Sequence, residues 1–267
     1  IMDLLQNVNG PLGEHFVKDH FQRREFQSRG SVHTHNLVYC ENAPVYNNHN
    51  VVECCSFIDK FITCKYEPKN PYMTFQRHKH QSTCYKGRKN KTSCRFHYPM
   101  PVLPHTMVLT PLAQNELTND IKDNYKKIMK LMKTFFDTNI DKSFADILTE
   151  LKLSEHEYIL AIRSPLKTTK VFYKRRSLDV AINPYNELIL SLLESNMDIQ
   201  FVLDPYSCAS YMINYVTKVD AGLSKLLREA ANEIEHGNTS IKRKLQKIGN
   251  IFLNGRVMSC QEAVYIG

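Results

Sequence analysis

Residues 21–40, "FQRREFQSRGSVHTHNLVYC", decide how the rest of this chain is read. Two runs of alternating apolar and polar residues, "FQRREFQS" (21–28) and "VHTHNLVYC" (32–40), flank Arg29-Gly30, where a tight turn fits. The pattern predicts two strands folded back on each other. Alternate side chains of a strand share a face, so His33 and His35 project the same way. Two imidazoles so placed can supply two ligands to one metal ion. A solvent-facing strand with polar residues at alternate positions would leave the same pattern, and the pair alone does not choose between these readings.

Working outward from the hairpin, residues 51–64 have helical spacing, whereas 76–98 has no period of either kind. "NDIKDNYKKIMKLMKTFFD" (119–137) sets Ile121, Tyr125, Ile128, Met132 and Phe135 at steps of three and four, the mark of an amphipathic helix. Shorter helical patterns follow at 142–152 and 155–163. "SLDVAIN" (177–183) and "MDIQFVLD" (197–204) read as strands on either side of a helix at 185–195. The chain is helical again through "YSCASYMINYVTKV" (206–219) and over 222–250. Strands, then helices, then both again describe an α+β fold with an antiparallel sheet.

A chain of 267 residues with 42% hydrophobic content can bury an ample core. Its eight cysteines are scattered between residues 40 and 260, and two of them, Cys54 and Cys55, are adjacent. No secretory leader is read, so reduced thiols in an intracellular protein are expected. No apolar run approaches the roughly 18 residues of a membrane span. The formal net charge of +8 is concentrated. "RHKHQSTCYKGRKNKTSCR" (77–95) carries Arg77, Lys79, Lys86, Arg88, Lys89, Lys91 and Arg95 with no acidic residue, and "KTTKVFYKRR" (167–176) carries Lys174, Arg175 and Arg176. Aromatic rings lie among these charges at Tyr85, Phe172 and Tyr173, a composition suited to a phosphate backbone with stacked bases.

The first basic segment also holds His78, His80, Cys84 and Cys94, the mixed imidazole and thiolate donors that zinc takes in closed tetrahedral sites. A short basic segment buries too little surface to order itself, and a structural Zn²⁺ would supply the missing cross-link. His97 is an alternative fourth ligand. Further on, "YMINYVTK" (211–218) puts Tyr211 and Tyr215 one helical turn apart on one face, with Lys218 three residues beyond. Such aromatic pairs usually belong to a core. A phenolate attacking a phosphodiester would need a nearby cation, and a His-x-His strand could hold one.

"REFQSRGSVHTHNLV" (24–38), "HKHQSTC" (78–84) with "CRFHYP" (94–99), "INPYNELILSLLESNMDIQFV" (182–202) and "YMINYVTK" (211–218) occur in this order. Together they resemble the Rep nuclease domain of Helitron transposases, the rolling-circle transposons of eukaryotes, over about residues 16 to 265. The resemblance implies the HUH endonuclease fold, a central antiparallel β-sheet flanked by helices, here with a zinc-binding insertion at 76–98 and a helical insertion at 119–163. It matches His33 and His35 to the metal-binding histidines for Mg²⁺ or Mn²⁺, and Tyr211 and Tyr215 to the nucleophiles. Lys218 matches a lysine that could neutralise phosphate or lower the phenol's pKa. A Glu or Gln of the neighbouring strand completes the metal site in related initiators, so Gln27 is the first choice here and Glu25 the second. The mixed His/Cys segment has its counterpart in the family as well.

One departure is Thr34, where the family usually has a bulky apolar residue between the histidines; a β-branched residue still suits a strand. The resemblance implies a nuclear endonuclease and strand transferase that acts on single-stranded DNA and forms a 5′-phosphotyrosine linkage, normally fused to a C-terminal helicase. Residues 1–267 read as a fragment of such a protein. With no GxxxxGK[ST] loop, ATP hydrolysis and unwinding are not expected of it. The alternative expectation is a catalytically inactive, zinc-stabilised remnant that binds single-stranded DNA.

Overall fold

In the computed structural model, the structure describes residues 5, 7, 10–15, 17–25, 33–85 and 94–216, without the side chains of Arg23, Glu25 and residues 211–216. The chain divides into two compact units, Ile1–Phe16 with Cys40–Leu203, and Val17–Tyr39 with Asp204–Gly267.

The smaller unit contains the hairpin strands. β1 (Val17–Glu25) pairs with β2 (His33–Cys40) in an antiparallel two-stranded sheet. Across the pair, the Gln22 side chain donates to Asn36 Oδ1 at 2.9 Å. The two predicted strands therefore form, although β1 starts and ends earlier than "FQRREFQS"; the Arg29-Gly30 turn lies outside the described residues. A helix, Pro205–Val216, belongs to the same unit and contacts β1. Its start follows from local chemistry. Pro205 suits a first helical position, and the Asp204 carboxylate accepts from the Tyr206 N–H at 3.0 Å and from the Ser207 hydroxyl. These bonds hold the Asp204 carboxyl below its usual pKa.

The larger unit is built mainly from helices: α1 (Val51–Phe61), α2 (Met73–Gln76), α3 (Asn119–Thr138), α4 (Phe144–Leu151), α5 (Glu155–Arg163) and α6 (Glu187–Leu193), so that the helix of the smaller unit is α7. Side chains of Thr118, Ser143 and Ser154 cap α3, α4 and α5 by accepting from Ile121, Asp146 and Glu157 N–H groups. Glu157 returns a bond to the Ser154 backbone and completes a capping box. Asn139 and Lys152 end α3 and α4 in the left-handed conformation.

The periodic face read from α3 is the centre of the core. Ile128, Met132 and Phe135 are buried against Ile147, Tyr158 and Ile162 of the next two helices. Each such side chain contributes about 1.5–3 kcal/mol by leaving water. β3 (Met107–Leu109) and β4 (Lys170–Phe172) form a second antiparallel pair beside this core, with Val108 opposite Val171.

The architecture is thus mixed α/β, with seven α-helices and two small antiparallel sheets among the described residues. The expected sheet differs in detail. "SLDVAIN" opens as a 3₁₀ turn at Ser177–Asp179, and 197–204 contains no strand. The segment 175–185 turns at 177–181 and meets a different stretch at every contact, through single bridges of Leu103 with Arg175, Arg77 with Ile182 and Thr63 with Tyr185. Isolated bridges join segments without making a ladder. β3 and β4, three residues each, are too short to show a period of two, and the sequence reading missed them.

Candidate metal centre

The described parts of the aperiodic segment, 76–85 and 94–98, bring four side chains together. His78 leaves α2 after a bridge at Arg77, and its N–H donates to Ala181 O at 2.7 Å, which fixes where the His-x-His pair begins. A 3₁₀ turn at Ser82–Tyr85 carries Cys84, and Cys94 returns beside it, with the Arg95 N–H donating to Cys84 O at 2.8 Å. One ligand atom each of His78, His80, Cys84 and Cys94 lies within 4.8 Å of all the others. These are the four residues expected to hold zinc. His97, the alternative, is exposed and outside the cluster, with its backbone at positive φ.

Two distances test the fit. His78 Nε2 lies 3.6 Å from Cys84 Sγ and 3.5 Å from Cys94 Sγ. Zinc bonds of about 2.3 Å to sulfur and 2.0–2.1 Å to nitrogen, at a tetrahedral angle, separate N and S by about 3.5–3.6 Å. The donors stand where a tetrahedral ion would draw them. Burial and the neighbouring His80 push the His78 pKa down to about 4, so its imidazole is neutral at neutral pH and able to ligate. Burial pushes the Cys94 thiol up, while the backbone N–H groups of Phe96 and Tyr98 work the other way by hydrogen-bonding its sulfur. Gln81 N–H donates to Cys84 Sγ at 3.3 Å. Backbone donors thus face both sulfurs, contacts that orient a ligand from outside.

The ligand rings are held from outside. His78 stacks on Tyr98 with centroids 4.3 Å apart, and the Tyr98 hydroxyl donates to Asn183. His80 stacks on Phe136 of α3 at 4.7 Å. Sequence reasoning missed both rings. Phe136 sits four residues after Met132, at the edge of the apolar stripe, where it packs against the core and still reaches His80.

The second set of expected ligands lies in the smaller unit. His33 and His35 share one face of β2, with ring centroids 5.1 Å apart. Glu25 ends β1 without a described side chain, and Gln27 lies outside the described residues. Tyr211 and Tyr215 fall on the backbone of α7 one turn apart, as read, without described side chains; Lys218 lies outside the described residues.

The expected nucleic-acid residues need correction. Arg175 is only 4% exposed; its guanidinium donates to the carbonyls of Asp179 and Ile182 and to Cys64 Sγ at 3.0 Å. Burial leaves it no face for a phosphate. Arg176 grips the Asp179 carboxylate with two bonds of 2.8 and 2.9 Å. Arg77 donates to Asn139 Oδ1 at 2.6 Å and to Phe136 O at 3.4 Å, tying the metal segment to the end of α3. Of these three, Arg175 alone is buried in the fold; Arg77 is half-buried and Arg176 exposed. Of the proposed stacking rings, Tyr173 is also engaged, its hydroxyl donating to Ile199 O at 3.3 Å. Lys174 remains exposed, and so does Arg95, over the Phe96 ring at 4.5 Å. Lys86, Arg88, Lys89 and Lys91 lie outside the described residues.

No protein-family model matches this chain, and no curated protein or solved structure is significantly similar to it. Among the described residues, no helix is long and apolar enough to cross a membrane.

Proposed function

We propose that this chain is a metal-dependent single-stranded DNA endonuclease and strand transferase of the rolling-circle type, built on an HUH-like nuclease fold and stabilised by a structural zinc. One arrangement supports the reading. His33 and His35 share a face of β2, and the partner strand β1 contacts α7, the helix that carries Tyr211 and Tyr215. A paired-histidine strand and a tyrosine helix in one compact unit are what phosphotyrosine chemistry needs. His33 and His35, with Gln27 or Glu25 as an oxygen donor, form a nitrogen and oxygen set that fits a divalent cation. Mg²⁺ or Mn²⁺ bound there would polarise the scissile phosphate and offset its developing charge.

The chain's own residues do the rest. The oxygen of Tyr211 or Tyr215 attacks phosphorus after giving its proton to solvent, the bond from phosphorus to the 3′ oxygen breaks, and that oxygen takes up a proton to become a free 3′-OH. The 5′ phosphate is left on tyrosine. In strand transfer a 3′-OH attacks this linkage, and the phenol recovers a proton as it leaves. Each step exchanges one phosphate ester for another, so no ATP is consumed. Lys218, three residues after Tyr215 in sequence, would offset phosphate charge.

A second reading has its own supporting observation. Among the described residues, the His/Cys cluster is the only group of three or more His, Cys, Asp or Glu side chains close enough to hold a metal. A zinc-stabilised single-strand-binding remnant without nuclease activity would have this feature. One experiment separates the two readings. Incubation with labelled single-stranded DNA and Mn²⁺ should yield a covalent adduct that survives denaturation and disappears in the Tyr211→Phe/Tyr215→Phe double variant. No adduct from the unmodified protein, or an undiminished adduct from the double variant, overturns the catalytic reading in favour of the remnant.

A further inference from the structure

The solvent face of α3 carries charge that neither the core nor the metal centre uses. Lys122, Lys126, Lys130 and Lys133 are all exposed, at steps of four, four and three along this 20-residue helix. Residues so spaced form one stripe. At a rise of about 1.5 Å per residue, successive members stand about 4.5–6 Å apart along the axis, and the row runs for about 16 Å. Among the described residues, Lys122, Lys130 and Lys133 make no ion pair; Lys126 meets Asp123 at 2.8 Å, a fully exposed pair that solvent weakens. Asp123 and Asp137 are the carboxylates on this side of the helix, and Lys127 adds a fifth cation at its edge. The stripe ends beside the metal centre. Phe136, one turn from Lys133, stacks on His80, and Arg77 is bonded to the last turn of α3.

We infer that this lysine stripe is a binding surface for the phosphodiester backbone of a nucleic acid, ending beside the His78 and His80 pair. It deepens the function proposed above and rests on that reading for its partner. Two features favour phosphate over other anions. The cations form a line at intervals near those of successive phosphates, and they are carried on a rigid element, as suits contacts that position a strand. A membrane surface fits poorly. The apolar face of α3, with Ile128, Met132 and Phe135, is buried in the core and has nothing to insert.

The test is a salt titration of binding. Anisotropy of labelled oligothymidylate, and of a labelled duplex in a parallel arm, is followed between about 50 and 200 mM salt, where affinity falls by about 0.7 power of salt concentration per phosphate contact on a single strand and about 0.9 on a duplex. The variant Lys122→Gln/Lys126→Gln/Lys130→Gln/Lys133→Gln keeps helix propensity. Circular dichroism and zinc content check that it stays folded. It should bind at least tenfold more weakly at the lower salt, with the salt exponent reduced by about 2–3 in the arm that matches the natural ligand. The corresponding four Lys→Arg changes should retain both affinity and exponent.

An unchanged exponent in both arms overturns the inference. So does an equal loss per charge from Lys69→Gln/Lys152→Gln, exposed lysines off the stripe, because that would mark a net-charge effect. Loss of binding to phosphatidylserine vesicles with oligonucleotide binding intact would assign the face to membranes and overturn it as well. The tyrosines are untouched in these variants. A normal salt response without any covalent adduct from the unmodified protein would therefore remove the nuclease reading and leave the surface standing.

Discussion

The two histidine pairs of this molecule have the same sequence form, His-x-His, and meet different fates. At His78 and His80 the other two ligands arrive from within 16 residues, and four donors converge with spacings that match a tetrahedral ion. At His33 and His35 the chemistry is spread over the chain, with the oxygen donor expected on the neighbouring strand and the nucleophiles about 180 residues away. A local site closes on itself because short loops cost little to order. It can then stabilise its own segment. A dispersed site gains little for the fold and depends on the scaffold to bring its parts together.

The largest effect should therefore come from opening the local site. Cys84→Ser/Cys94→Ser, or a strong chelator on the unmodified protein, should remove about one equivalent of zinc and loosen the 78–98 segment. Apparent zinc binding energies in small structural sites reach about 10–16 kcal/mol, and folding of the segment is coupled to that binding. Metal analysis with hydrogen exchange over residues 78–98 measures both. Loss of zinc with unaltered protection in the double variant would mean that packing of Tyr98, Met100 and Phe136, not metal, orders this region.

A smaller effect should come from the core on the other side of the same helix. Met132 is fully buried, and truncation to alanine should cost about 2–5 kcal/mol through lost burial and the cavity left behind. Zinc stoichiometry should stay at one equivalent, because the ligands are fixed by their own loop and by backbone bridges to Ala181 and Asn183. Thermal unfolding and metal analysis of Met132→Ala check this together. Loss of zinc at a temperature where the variant is still folded would show that α3 packing, through Phe136 on His80, positions the ligands.

Much of this was legible in the sequence, for reasons that differ by region. The core helix could be read because Ile121, Tyr125, Ile128, Met132 and Phe135 repeat at the helical period over 15 residues. The candidate metal cluster could be read because donor chemistry is written in residue identity. The fate of the second basic cluster could not. Arg175 looks like its exposed neighbours Lys174 and Arg176 in sequence, and only the chain crossing at Leu103 turns its guanidinium inward, while Arg176 stays exposed and is held by Asp179 of the 3₁₀ turn. Charge density reports composition; burial is decided by partners far along the chain. The stretch at 177–183 misled for a similar reason. Val180, Ala181 and Ile182 are buried, as in a strand, but the backbone opens in a 3₁₀ turn and its partners come singly, from Met100, His78 and Gln76.

The smallest effect on stability, and the sharpest contrast between the two pairs, is expected at the hairpin. His33 and His35 are half-buried on a two-stranded sheet and contribute no apolar core, so replacing both with alanine should change stability by no more than about 0.5 kcal/mol. Zinc content should be unaffected, because the His78 cluster has its own four ligands. If these imidazoles serve catalysis, the Mn²⁺-dependent DNA adduct should nevertheless fall to background, with single-strand binding by the basic surfaces kept within a few-fold. Unfolding midpoint, zinc content and adduct yield on one preparation separate the possibilities. A stability loss as large as that at Met132 would make the pair structural, and full adduct formation without the two imidazoles would place any catalytic ion elsewhere.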